Sequence, residues 1–96
     1  MMVVVSYDVA TSETGGTKRL RLVAKECVNY GQRVQNSVFE CILDPAQFEE
    51  FKHKLLKIAD LNVDSICFYF LGSNWKNKIN HYGVKKKMDI DEPLIL

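Results

Sequence analysis

The sequence predicts an α+β domain built on one antiparallel sheet, and three observations lead to this prediction. Short runs of β-branched and aromatic residues alternate with two segments of helical periodicity. A run in the middle of the chain is strand-like on both sides of a polar pair, which is typical of a hairpin. The 96 residues suffice for one domain. The resulting order is that of a ferredoxin-like βαββαβ sandwich with both helices on one face of the sheet.

The first strand is predicted over residues 3–9, where β-branched residues precede a polar loop. Side chains alternate between the two faces of a strand, so the faces can be compared. One face is apolar and suits a helix-covered core; it carries Val3, Val5, Tyr7 and Val9. The other face becomes polar toward its end, at Ser6 and Asp8. We expect this second face to stay open for a second subunit or a ligand.

The first helix is predicted to begin at Thr17, which serves as its N-cap, and to end at Gly31. Apolar residues at helical spacing form its buried stripe: Leu20, Val23, Ala24, Cys27 and Val28. Arg19 and Arg21 lie off that stripe. The preceding loop, residues 10–16, contains two adjacent glycines, so we expect it to shift at little cost and to close over nucleic acid.

The middle of the chain predicts the hairpin and the second helix. "RVQNSVFECIL" is strand-like throughout, with a bend at Asn36 and Ser37. "DPAQ" then begins a helix, in which Asp44 is the cap, Pro45 the first helical residue and Gln47 able to reach back to the cap. The buried stripe of this helix is predicted from its spacing to comprise Phe48, Phe51, Leu55, Ile58 and Ala59.

The last strand of the sandwich is predicted over residues 65–71, before Gly72. The domain therefore spans 1–72, and residues 73–96 form a C-terminal extension that we expect to pack on the sheet edge or on a partner subunit. Within it, "WKNKINHYG" and "EPLIL" could supply one or two short strands. No apolar run approaches the ~18 residues of a membrane span, so no membrane association is expected.

The composition excludes few classes of binding partner, because 13 basic residues balance 12 acidic ones and the net charge is +1. The distribution is more informative, since basic residues concentrate in 17–33, with a second group in 75–87. This pattern suits phosphate contacts, although a solvated helix face has the same appearance. The three cysteines are widely spaced and form no CxxC pair, which favours buried free thiols in a reducing cytoplasm over a zinc site or a disulfide framework.

Residues 1–72 resemble a known family, the small CRISPR-associated adaptation nucleases that form the second Cas protein family. Five segments carry the resemblance in the right order and spacing: "SYDV", "KRLRLVAK", "GQRVQNSVFECIL", "DPAQFEEFKHKL" and "DSICFYFLG". "RVQNSVFEC" is the most specific of them. The tail after Gly72 and the "TSETGG" insertion resemble the branch found with compact type I systems, of type I-C.

The resemblance implies a homodimer in which Asp8 of each subunit, at the end of the first strand, is the catalytic ligand of a shared Mg²⁺ ion. It implies an endonuclease acting on RNA or double-stranded DNA, and a role in CRISPR adaptation (spacer acquisition) beside a CRISPR integrase subunit. Carried over by position, Arg19, Arg21 and Arg33 would bind nucleic acid. Three further residues would support the cleft: Tyr7, Ser37 and Phe39.

The residues alone leave alternatives open. Asp8 could cap an ordinary turn, the two helix arginines could lie on a solvated face, and Phe39 could belong to the core. At the level of the whole protein, the alternative to an enzyme is a non-catalytic adaptor that holds DNA in the CRISPR integrase complex. A generic ferredoxin-like binding module is the third hypothesis.

Overall fold

The structure is a computed structural model that describes residues 1–71 and 79–84. It comprises β1 (Met2–Asp8), α1 (Gly16–Tyr30), β2 (Gln32–Gln35), β3 (Val38–Ile42), α2 (Pro45–Ile58), β4 (Ser65–Phe70) and β5 (Ile79–Gly83). The five described strands form one sheet in the order β2-β3-β1-β4-β5, and every neighbouring pair is antiparallel. The predicted α+β, ferredoxin-like arrangement is confirmed, and β5 extends it at one edge.

The first strand lies at the centre of the sheet. It pairs with β3 from Met2 to Ser6 and with β4 from Val3 to Asp8. Its odd-numbered residues are buried in the core, whereas Asp8 is exposed on the opposite face. The predicted division of this strand into a core face and an open face is therefore correct.

The first helix begins two residues earlier than the sequence indicated. Its N-cap is Gly15, in the left-handed conformation with φ of 78°, and not Thr17. The stripe is correct at Val23 and Cys27, which are buried, but wrong at Val28, which is 59% exposed. The helical spacing includes Val28 in the apolar stripe, but Val28 lies at the boundary of that stripe, where the surface of α1 faces solvent.

The second helix has the predicted N-terminus. The Asp44 side chain accepts a hydrogen bond from the backbone N–H of Gln47, and the Gln47 side chain accepts one from the backbone N–H of Asp44. This reciprocal capping box satisfies two N–H groups that the first turn of a helix leaves without partners. Pro45 occupies the first turn as expected.

The core lies between the sheet and the two helices. Its fully buried aromatic side chains are Phe39, Phe51 and Phe68, surrounded by aliphatic side chains from β1, α1 and α2. Among the residues that the structure describes, no helix is long and apolar enough to cross a membrane. β5 confirms a strand in "WKNKINHYG", where one or two short strands were possible after Gly72, whereas "EPLIL" and most of the predicted 73–96 extension lie outside the described residues.

Candidate active site at the end of the central strand

Asp8 is the last residue of β1, and three segments meet around it. The backbone N–H of Tyr7 donates to the carbonyl of Ser37, in the β2–β3 turn, at 3.1 Å. On the other side Asp8 pairs with Ser65, the first residue of β4. We call this end of the sheet the Asp8 rim; it comprises the end of β1, the turn at residues 36–37 and the loop at residues 59–64. Strand pairing fixes the Asp8 backbone here while its side chain reaches the open face.

Tyr7, Phe39 and Arg33 form a cluster on the core side of the rim. The Tyr7 and Phe39 rings stack at a centroid distance of 6.2 Å, and the Arg33 guanidinium lies 5.1 Å from the Phe39 centroid. The Tyr7 hydroxyl donates to the carbonyl of Asn36 at 3.3 Å. Burial raises the pKa of Tyr7, and the nearby Arg33 charge acts in the opposite direction. The cluster thus packs the hairpin turn against the strand that carries Asp8.

Two of the predicted site residues therefore lie beneath the open face and not on it. Tyr7 is 4% exposed and Phe39 is fully buried, so any support they give to a cleft passes through packing. Ser37 is half-buried and takes part through its backbone carbonyl. Phe39 matches the core alternative that the sequence left open.

A buried carboxylate that no local sequence pattern indicates completes the rim. Asp64 precedes β4 and is fully buried. It accepts hydrogen bonds from the backbone N–H groups of Ala10 and Asp60, each at 2.9 Å, and from Arg19 Nε at 2.8 Å, with Arg19 Nη2 at 3.4 Å. Burial alone would raise the pKa of Asp64, but these hydrogen bonds outweigh it and hold the pKa below its ordinary value.

The two arginines of α1 have different environments, although the sequence presents them alike. Arg19 forms the ion pair with Asp64, and its Nη1 also donates to the carbonyl of Thr14 at 2.9 Å. Only 15% of its side chain is exposed. Arg21 is exposed on the outer surface of the helix, as are Lys18 and Lys25. Nucleic-acid binding by the arginines stays a prediction, and the exposed residues are the better placed to reach a phosphate.

The loop between β1 and α1 is tied to its surroundings. Glu13 N–H donates to the carbonyl of Ala10, and Gly16 N–H donates to the carbonyl of Glu13. Gly16 is buried directly against the backbone of Ala10 and Thr11, where a side chain would collide. Gly15 thus provides the left-handed N-cap, and Gly16 permits the close backbone contact. These contacts oppose the easy movement of the loop that the sequence suggested.

No local signal in the sequence indicates Asp64. It stands between Val63 and the first residue of a strand, where an aspartate is an ordinary turn residue. Its partner Arg19 is 45 positions away, a separation that periodicity and capping rules do not reach. The only hint is its place directly before the strand that pairs with Asp8.

The chemistry of Asp8 suits a magnesium ligand, but one carboxylate makes a partial site. Mg²⁺ takes oxygen ligands, keeps several waters and is often held by one or two carboxylates. Within residues 1–71 and 79–84, no group of three or more His, Cys, Asp or Glu side chains could hold a metal ion. Asp64 is unsuited, because its oxygens already accept hydrogen bonds in a closed environment. The residues present therefore fit Mg²⁺ if a second ligand set comes from another molecule.

Comparisons with known proteins agree on one family. The family model described as "CRISPR associated protein Cas2" matches residues 1–79. The chain is 53% identical to the CRISPR-associated endoribonuclease Cas2 of Nitratidesulfovibrio vulgaris, over all of this chain (100%) and 94% of the relative. It is 55% identical to the CRISPR-associated endonuclease Cas2 of Halalkalibacterium halodurans, over 99% of each chain.

A solved structure gives the same answer for the fold. The crystal structure of Streptococcus pyogenes Cas2 at pH 6.5 superposes with a TM-score of 0.70 and 59% sequence identity. The match covers 83% of this chain and 96% of the solved one. At this identity the likeness extends to the family as well as to the architecture.

Proposed function

The chain belongs to the CRISPR-associated protein Cas2 family, and from this premise we propose that it is a magnesium-dependent endonuclease of CRISPR adaptation. RNA and double-stranded DNA are the candidate substrates, since relatives carry the names endoribonuclease and endonuclease. A CRISPR integrase subunit is the proposed protein partner, and spacer acquisition the proposed process. The free thiols of Cys27, Cys41 and Cys67 suit the reducing cytoplasm in which this process would occur.

One observation carries the proposal: Asp8 is an exposed carboxylate whose backbone is fixed at the end of the central strand. Strand pairing with β4 on one side and the bond from Tyr7 N–H to Ser37 on the other fix the backbone here. A ligand held on a rigid strand is placed more accurately than one on a loop. Asp8 can therefore present its oxygens to the open face in a defined direction.

Each candidate site residue then has a defined role in phosphodiester hydrolysis. A bound magnesium ion would supply an activated water and offset the charge that develops on the phosphate. Asp8 would bind the ion. Exposed basic side chains of α1 would position the nucleic acid by its phosphates, with Arg33 contributing from β2. Tyr7 and Phe39 would keep the strand end and the hairpin turn in register from below.

A homodimer would complete the site. The open face of the sheet exposes apolar side chains, among them Ile42 at 77%. Such a surface favours association with another molecule. A second copy related by a two-fold axis would bring its own Asp8 and so provide two carboxylates for one ion. Sedimentation at micromolar concentration is expected to show a dimer; a monomer would contradict this part of the proposal.

The central test replaces Asp8 by Asn, which keeps the size of the side chain and removes its charge. Cleavage of short duplex DNA and single-stranded RNA in Mg²⁺ is expected to fall at least ~100-fold, the order typical of losing a group that stabilises transition-state charge. The matched control is Asp44→Asn, since Asp44 is exposed at the start of α2 and Asn caps a helix equally well. Its activity should equal that of wild type.

Thermal unfolding and sedimentation of Asp8→Asn should match those of wild type, and such agreement would show that the fold and the dimer are unchanged. If the variant cleaves at the wild-type rate in the same Mg²⁺ concentration, Asp8 is not the metal ligand and the nuclease proposal loses its central residue. Protein without added divalent metal should be inactive; full activity in EDTA would contradict the magnesium dependence.

A second candidate function is a structural adaptor that holds duplex DNA beside an integrase subunit. The observation in its favour is the row of exposed basic side chains on α1, Lys18, Arg21 and Lys25, which could contact a DNA backbone without any cleavage. Spacer acquisition by Asp8→Asn separates the two functions. Normal acquisition with abolished cleavage would favour the adaptor.

A further inference from the structure

The Asp64 carboxylate takes no part in the function proposed above, yet it accepts four hydrogen bonds at the Asp8 rim. Each of its oxygens accepts one backbone N–H and one guanidinium N–H. It is closed to solvent. A carboxylate in this state does not bind an ion or take a proton from a substrate. What it can do is hold other groups in place.

The group that it holds is the end of the strand that carries Asp8. The regular pairing of β1 with β3 ends at Ser6, and the pairing with β4 ends at Asp8. The next N–H directed toward β4, that of Ala10, donates to Asp64 Oδ1. The carboxylate therefore takes the place that a strand carbonyl would have, and it extends the restraint on β1 beyond Asp8.

Arg19 joins the same network from α1. Its Nε and Nη2 are directed at Asp64, and its Nη1 is directed at the carbonyl of Thr14, in the loop that follows Asp8. Three N–H groups of the guanidinium thus point into the protein. Arg21, two positions later, is exposed and belongs to the outer surface.

We propose that Asp64 and Arg19 are a positioning pair that fixes the direction of the Asp8 carboxylate, and that Arg19 affects cleavage through Asp64 and not through contact with phosphate. This inference rests on the proposed function. It separates two arginines that the sequence presents as equivalent: Arg21 contributes to binding, and Arg19 to the geometry of the metal ligand. It also gives the α2–β4 loop a part in the site.

The experiment compares Arg19→Ala, Arg19→Lys, Arg21→Ala and Asp64→Asn as full-length proteins. The probes are a short DNA duplex and a single-stranded RNA in Mg²⁺. Steady-state kinetics give kcat and KM, binding is measured over a range of salt concentrations, and hydrogen exchange is followed at the backbone N–H of Ala10.

Arg19→Ala and Asp64→Asn are expected to lower kcat about 10- to 100-fold with KM within about twofold of wild type, because misplacement of a catalytic group acts on the chemical step. Exchange at Ala10 should be at least ~10-fold faster in both, since its hydrogen bond is weakened. Arg19→Lys should recover part of kcat, because the lysine ammonium can still bond Asp64.

Arg21→Ala should instead raise KM, leave kcat and Ala10 exchange unchanged, and reduce the salt slope of binding by about 1. The proposal is overturned if Arg19→Ala behaves like Arg21→Ala in KM and salt slope while Ala10 exchanges at the wild-type rate. If Asp64→Asn does not fold, the comparison of Arg19→Ala with Arg19→Lys decides the question.

The failure of this inference can be told apart from failure of the proposed function. If wild type cleaves neither probe, the nuclease proposal fails, yet Ala10 exchange and the salt slope still report whether Arg19 restrains the strand end or contacts phosphate. If wild type cleaves but Arg19→Ala keeps the wild-type kcat, the positioning pair is wrong and the nuclease proposal stands.

Discussion

Replacing Phe39 by leucine separates a core role from a cleft role for this residue. Phe39 is fully buried, stacks on Tyr7 at 6.2 Å and lies 5.1 Å from the Arg33 guanidinium. Leucine keeps most of the apolar area but removes the ring. A stacked aromatic pair contributes about 0.5–1.5 kcal/mol, and a cation–π contact at an exposed site about 0.5–1 kcal/mol. The free energy of unfolding should therefore fall by about 1–2.5 kcal/mol.

For a domain of this size that loss lowers Tm by roughly 4–20 °C, which thermal and urea unfolding can both measure. Val28→Ala is the matched control, because it also truncates an apolar side chain but at a position that is 59% exposed. Its unfolding free energy should change by less than about 0.5 kcal/mol. Phe39→Leu should lose cleavage only together with stability, because the ring supports the strand end through packing. A variant with wild-type Tm and reduced cleavage would refute the core assignment.

Two further predictions concern the rim. The pKa of Asp64 is lowered in the folded protein, so its contribution to stability is present above its unfolded pKa of about 4 and is lost as the pH falls through the folded pKa. The unfolding free energies of wild type and Asp64→Asn, measured from about pH 6 to about pH 2, should therefore become equal at the acid end. A difference that stays constant with pH would contradict the ion pair. Gly16→Ala should lower Tm although alanine favours a helix by about 1 kcal/mol, because a Cβ would lie against Ala10 and within 2.7 Å of the Thr11 Cα; a higher Tm would contradict the close packing.

The features that the sequence predicted correctly are those encoded within a few residues. The capping box of α2 lies between Asp44 and Gln47, and its partners are three positions apart. The β2–β3 turn falls at the expected polar pair, and alternation along β1 places Asp8 on the open face. Each of these depends on local spacing, which sequence rules describe directly.

The features that were missed depend on contacts between distant segments. Gly15 and not Thr17 caps α1, because Gly16 has to approach the Ala10 backbone more closely than any side chain permits. The sequence presents Arg19 and Arg21 alike, off the apolar stripe of α1, because nothing near Arg19 in the chain indicates its contact with Asp64. Periodicity alone could not place Val28, which lies at the boundary of the buried stripe. All three errors arise where the tertiary structure overrides a local preference.

The central position of β1 has a consequence for synthesis on the ribosome. Asp8 is translated early, but its partner Ser65 follows 57 positions later. At ~5–20 residues per second, about 3–11 s pass before that partner is made. During this interval β1 can pair only with β3, and only after residues 38–42 have been made, so its other edge remains unpaired. The strand end that carries Asp8 is therefore completed late, so a nascent chain cannot hold Asp8 in its final geometry until most of the protein has been synthesised.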